Sequence, residues 1–136
     1  MSVEITGTYV GNLKMQLTHG PSGSAVPTSA PKDNQGDGSA FSPTDLLAAA
    51  FGSCMVTTMA IVAGRHGIPF SGSSFHVVKE MNADPRRVGK LPIRVQMPEG
   101  LTPEQRRILE HAARTCPVER SLLPEIEREI DFVYLD

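Results

Sequence analysis

The chain has 136 residues, 40% of them hydrophobic, enough for one domain with a real core and too few for several. Thirteen basic residues against fifteen acidic ones, a formal net charge of -2, exclude the basic field that holds nucleic acid or an anionic membrane surface. Two cysteines are too few for a disulfide-built secreted scaffold, and the start MSVEITGTYVG lacks the basic opening and apolar run of a secretory leader, so a cytoplasmic location is expected.

In chain order, Val3–Val10 (VEITGTYV) and Leu13–Leu17 (LKMQL) alternate with period two about Gly11 and Asn12, which predicts a hairpin. Gly20–Phe41 is dense in Gly, Ser, Pro, Asn and Asp and predicts a loop, with at most a short strand over Ala25–Thr28. Its length suits either a structural loop or a flap that moves beside a site. Ser42-Pro43-Thr44-Asp45 then marks a helix start: serine caps, proline suits the first helical position, and Asp45 faces the free amides. The helix is expected to run to about Ala63 and stop at Gly64, with Arg65 and His66 near its negative end.

Within it, Leu46–Gly64 (LLAAAFGSCMVTTMAIVAG) is uncharged and about long enough to span a bilayer. Gly52, Ser53, Thr57 and Thr58 interrupt the run, and a helix apolar all round is equally one wrapped on every side by protein, so no membrane span is expected. A domain this small has little left to do the wrapping, so a second subunit is expected to supply part of it. Ser74–Met81 and Val88–Met97 predict strands separated by the turn-like NADPRR. Thr102-Pro103-Glu104-Gln105 opens a second helix from Pro103 to about Thr115, with Ile108, Leu109, Ala112, Ala113 and Cys116 at three-and-four spacing. Pro117 breaks or restarts it, a short turn through Leu123 follows, and Glu129–Leu135 alternates as a closing strand. The sum is a single α+β domain over residues 1–136.

Cys54 lies in the middle of the first helix, too far from either end for the dipole to help a thiolate. Without a cation or donor brought from elsewhere it reads as a small buried hydrophobe. Cys116 precedes Pro117, so it can cap a new turn with its sulfur facing free amides, and Arg114 and Arg120 are near in sequence. These features point to Cys116 as the more acidic thiol, while a plain core residue at a helix end fits equally. The chain has no Cys-x-x-Cys, and His19, His66, His76 and His111 show no ligand spacing to either cysteine, so no metal site is expected. No histidine is placed for a nucleophilic triad. A redox pair remains, in which one thiolate becomes a sulfenic acid and the other condenses with it.

The segment SPTDLLAAAFGSCMVTTM resembles the cysteine helix of the OsmC/Ohr family, and HAARTCPVERSL is similar to that family's second cysteine segment. The resemblance extends through KEMNADPRRVGKLPIRVQMPEGLTPEQRR and the closing strand, most of the chain after Phe41. It implies an OsmC-like intertwined homodimer whose antiparallel sheets wrap a central buried cysteine helix. It also implies thiol-dependent reduction of organic hydroperoxides. In that chemistry Cys54 attacks the peroxide, Cys116 resolves the sulfenic acid as a disulfide, and a dithiol such as a lipoyl group restores the pair, with no metal, flavin or haem cofactor.

The chain departs from the family pattern where the thiol is activated. The family's arginine comes from the N-terminal strands, yet no arginine here precedes Arg65. The family's glutamate after the helix proline is replaced by Thr44, with the acid one position later at Asp45. Lys14 offers a charge without the planar fork of a guanidinium, leaving Arg120 or Arg114 as substitutes. This pattern resembles a diverged branch, with Cys54, Cys116, Asp45 and Arg120 as candidate catalytic residues. Leu47, Phe51, Met55 and Met59 are candidate lining for an apolar hydroperoxide, or simply core. The alternative function is a non-catalytic OsmC-like protein that binds small molecules or senses redox state.

Overall fold

In the computed structural model, which describes residues 1–135, the chain divides into two compact units, Met1–Leu47 and Ala48 onward. In the first, strands β1 (Ile5–Gly11), β2 (Lys14–His19) and β3 (Ala25–Ser29) form an antiparallel sheet in the order β1-β2-β3. The hairpin expected about Gly11 and Asn12 is present. Gly11 pairs with Lys14, and Asn12 and Leu13 between them take φ of 55 and 61, the left-handed pair that matches strand twist in a two-residue turn. Pro27 lies in β3, an edge strand, where its missing N–H costs the ladder little. The register puts Ile5, Tyr9, Met15, Leu17 and Val26 on one face, and Ile5, Tyr9 and Val26 are 67%, 60% and 47% exposed.

The segment after β3 is fastened down. Lys14 Nζ reaches Asp37 Oδ2 at 2.9 Å and donates to Ser39 Oγ at 2.9 Å, while Ser29 Oγ donates to Asp37 Oδ1 at 2.7 Å. The Lys14 ammonium and these hydroxyls hold the Asp37 carboxyl well below the usual carboxylate range.

Helix α1 spans Pro43–His66. Its start is reciprocal, as the sequence suggested: the Asp45 N–H donates to Ser42 Oγ (3.1 Å) and the Ser42 N–H donates to Asp45 Oδ2 (2.8 Å). Its end lies later than expected. The terminating glycine is Gly67 at φ 66, not Gly64, and the Ile68 N–H bonds back to the Ala63 carbonyl at 2.9 Å while the Ile68 side chain is buried. That is a Schellman closure, and it needs an apolar residue after the glycine, which Ile68 supplies and Arg65 after Gly64 does not. Ala48, Phe51, Gly52, Met55, Met59 and Ala63 form the buried face; Ala50, Ser53, Thr57 and Ile61 form an exposed stripe.

In the second unit the long central strand β6 (Arg86–Gln96) pairs antiparallel with β4 (Ser74–Val77) and β5 (Glu80–Ala83), and parallel with β7 (Glu127–Val133). Two expectations are corrected here. The single strand over Ser74–Met81 is two, broken opposite Pro92. The Pro92 carbonyl accepts the Val78 N–H at 3.0 Å, so its nitrogen, which has no hydrogen to give, faces that same edge and the ladder lapses there. The sheets are not all antiparallel either. Between β6 and β7 the chain makes helices α2 (Pro103–Arg114) and α3 (Pro117–Ser121), a crossover long enough to return a strand in parallel. Leu91, Ile93 and Val95 alternate into the core with Phe51, Met55, Met59 and Leu109. Thr102 and Gln105 form a capping box at the start of α2.

Candidate functional site

Two elements bring the cysteines together. Cys54 sits half-buried on α1, and Cys116, fully buried, is the residue that caps α3. The Cys54 sulfur accepts the Val118 N–H at 3.5 Å, and its other neighbour along the helix is Thr58 Oγ1 at 3.8 Å. Cys54 is near enough to act on the Cys116 thiol and helps to push it up. The Val118 N–H on the Cys54 sulfur thus brings the start of α3, which carries Cys116, to α1.

The electrostatics reverse one expectation. Cys116 was the thiol that sequence features made more acidic; burial instead pushes it up to about 11, and its contact with Cys54 adds to the rise. The amides of Glu119 and Val118 pull the other way and lose to desolvation. Cys116 therefore stays a neutral thiol at neutral pH. Cys54 is the sulfur that receives an amide hydrogen, from Val118.

The other expected residues lie in varied places. Phe51, Met55 and Met59 are fully buried, so they are core rather than walls of an opening, and Leu47 is half-buried. Asp45 serves the helix cap. Arg120 is exposed and donates its Nε to the Thr115 carbonyl at 3.1 Å, and the Arg114 guanidinium lies 5.1 Å over the Phe132 ring. Neither arginine is among the groups that shift Cys116. An open groove of about 340 Å³ beside α1 is lined by Ser53, Val56, Thr57, Ser73, Ser74 and Phe75. Among the described residues no group of three His, Cys, Asp or Glu gathers as a metal site.

The sequence reading missed Arg128. From β7 it donates Nε to Glu119 Oε2 at 3.0 Å, and its two terminal nitrogens reach the carbonyls of Leu123, Ile126, Glu119 and Leu122. Those carbonyls belong to α3 and the turn after it, so a single planar fork ties the segment carrying Cys116 to the sheet. The closing strand begins at Glu127 and ends at Val133 rather than running over Glu129–Leu135, so Arg128 lay outside the expected strand although it continues its alternation inward.

The chain is thus an α+β protein with one cysteine on a long apolar helix and a second at the start of a short one. A family model described as OsmC-like protein matches residues 36–131, and the chain belongs to the OsmC family. Among solved structures, a candidate osmotic stress induced and detoxification response protein from Psychrobacter arcticus 273-4 is 40% identical. The match covers 95% of this chain and 94% of that one with a TM-score of 0.90. An organic hydroperoxide resistance protein OsmC from Legionella pneumophila shares the fold at 15% identity, over 97% and 96% of the two chains, with a TM-score of 0.78. An OsmC-like protein from Mycoplasma pneumoniae does so at 12% identity, over 100% and 99%, with a TM-score of 0.84. No curated protein matches the chain.

Proposed function

We propose that the protein is a thiol-dependent peroxidase that reduces organic hydroperoxides. The observation that carries this reading is the approach of the start of α3, which carries the buried Cys116, to the half-buried Cys54, whose sulfur accepts the Val118 N–H at 3.5 Å. The Cys54 thiolate attacks the terminal peroxide oxygen. The O–O bond breaks, Cys54 becomes a sulfenic acid, and the departing alkoxide takes a proton to leave as alcohol. Cys116 then attacks the sulfenic sulfur; a disulfide forms, and the hydroxyl leaves with the Cys116 proton as water. An external dithiol, such as a lipoyl group, reduces the disulfide and becomes a disulfide itself. Cys54 is placed as the attacking sulfur because it is the part-exposed one of the two, whereas Cys116 is buried and its thiol is pushed up.

The reading includes a cytoplasmic homodimer, one OsmC-like domain per chain. Two uncovered apolar surfaces support it: the face of the β1–β3 sheet, and α1, of whose most apolar window only 33% is buried. The helix is long and apolar enough to cross a membrane by length and composition, a test that the core helix of a soluble protein also passes. A second subunit would cover what the single chain leaves bare.

A second reading, redox sensing or small-molecule binding without efficient turnover, draws on the engagement of Arg120 by the Thr115 carbonyl and of Arg114 by Phe132. One experiment separates them. Reduced protein is incubated with cumene hydroperoxide and dihydrolipoamide, and peroxide loss is followed for the wild type, Cys54→Ser and Cys116→Ser. The peroxidase reading expects multiple turnovers for the wild type and none above background for Cys54→Ser. A single oxidation without turnover would favour sensing, and no thiol oxidation at all would remove both peroxidase and sensor and leave small-molecule binding.

A further inference from the structure

We propose that Thr58 is a donor to the reacting sulfur, and that its hydroxyl, together with the Val118 N–H, holds Cys54 as an acceptor aimed at Cys116. This rests on the reading of Cys54 as the attacking thiol. The Val118 amide can only donate, so the 3.5 Å contact fixes the Cys54 sulfur as an acceptor on the side facing α3. Thr58 lies one turn along α1, where residues four apart share a face, and its Oγ1 stands 3.8 Å from the same sulfur. A hydroxyl can serve either way; with the amide already donating, the consistent role is a second donor. Hydrogen bonds to the charged form of a thiol favour it, and the two groups placed to give them here, an amide and a hydroxyl, are neutral.

The composition of the helix points the same way. Thr58 is a half-buried polar residue in an apolar helix, at a position where alanine would be the better helix former and valine would fill the same volume. Packing and propensity do not call for its oxygen.

The test uses the reduced full-length protein and iodoacetamide, with the pH dependence of Cys54 labelling read peptide by peptide in a mass spectrometer. Thr58→Val keeps the shape and removes the hydroxyl, Thr58→Ser keeps the hydroxyl, and Thr58→Ala guards against a packing fault in the valine variant. The expected result is a labelling midpoint about one pH unit higher in Thr58→Val and Thr58→Ala, about tenfold less thiolate at neutral pH, with the wild-type midpoint restored in Thr58→Ser. Unchanged midpoints in the valine and alanine variants, or a serine variant that titrates like valine, would overturn the proposal. Peroxide loss is not part of this readout. Shifted midpoints in a protein that consumes no peroxide would sink the peroxidase reading and leave this one, and unshifted midpoints in an active enzyme would do the reverse.

Discussion

At the two sulfurs, burial and hydrogen bonding act in opposite senses. Cys116 has no exposed surface and its thiol is raised to about 11, so at about pH 8 iodoacetamide should label Cys54 in the folded protein and reach Cys116 only after denaturation. Equal labelling of both in native protein would contradict the assignment. The same shift sets a pH dependence of stability. Below the ordinary thiol value near 9 both folded and unfolded chains hold the Cys116 proton; between about 9 and about 11 the unfolded chain releases it and the folded chain keeps it. Stability should therefore fall as pH rises through that window. The urea-unfolding difference between wild type and Cys116→Ala should shrink by pH 11, and a difference constant across the window would count against it. Neither behaviour was legible beforehand. The cap position and nearby arginines of Cys116 are visible in sequence, but the depth of burial that overrules them is a property of the assembled core.

Among the elements, α1 and β4 depend on a missing side chain. A Cβ placed on Gly52 would fall 2.3 Å from the Phe75 ring, so Gly52→Ala should destabilise the fold by about 1–3 kcal/mol in urea or thermal unfolding. Phe75→Leu should recover part of that loss; a double variant no better than the single one would mean that the ring is not the obstacle. Arg128 binds α3 to β7, and Arg128→Leu should cost about 2 kcal/mol while slowing disulfide formation between Cys54 and Cys116, read by intact mass after one equivalent of peroxide. The caps were readable at this scale, because Ser42-Pro43-Thr44-Asp45 and Thr102 with Gln105 encode their hydrogen bonds within four residues. The break between β4 and β5 was not, since its cause, Pro92, lies on a different strand. The true end of α1 was within reach: Gly67 followed by Ile68 is a better Schellman pair than Gly64 followed by Arg65.

For the molecule as a whole, the exposed stripe on α1 carries the association prediction. Ile61 is 51% exposed there, and Ile61→Asp should convert a sedimenting dimer to monomers while leaving the far-ultraviolet helix signal in place. A wild type that sediments as a monomer would remove the paired-subunit reading. The α+β class and both cysteine segments could be seen in the chain, because apolar periodicity and proline positions are local. The parallel pairing of β6 with β7 could not, since it depends on how the α2–α3 crossover returns.

That return has a further result. Cys54 and Cys116 bracket β4, β5, β6 and α2, so a bond between them would close a ring of roughly sixty residues and shrink the freedom of the denatured chain by an amount worth about 4 kcal/mol. The oxidised protein should melt several degrees above the reduced one. A heat ramp with a reporter dye would then act as a gauge of oxidant exposure, readable without following any substrate at all.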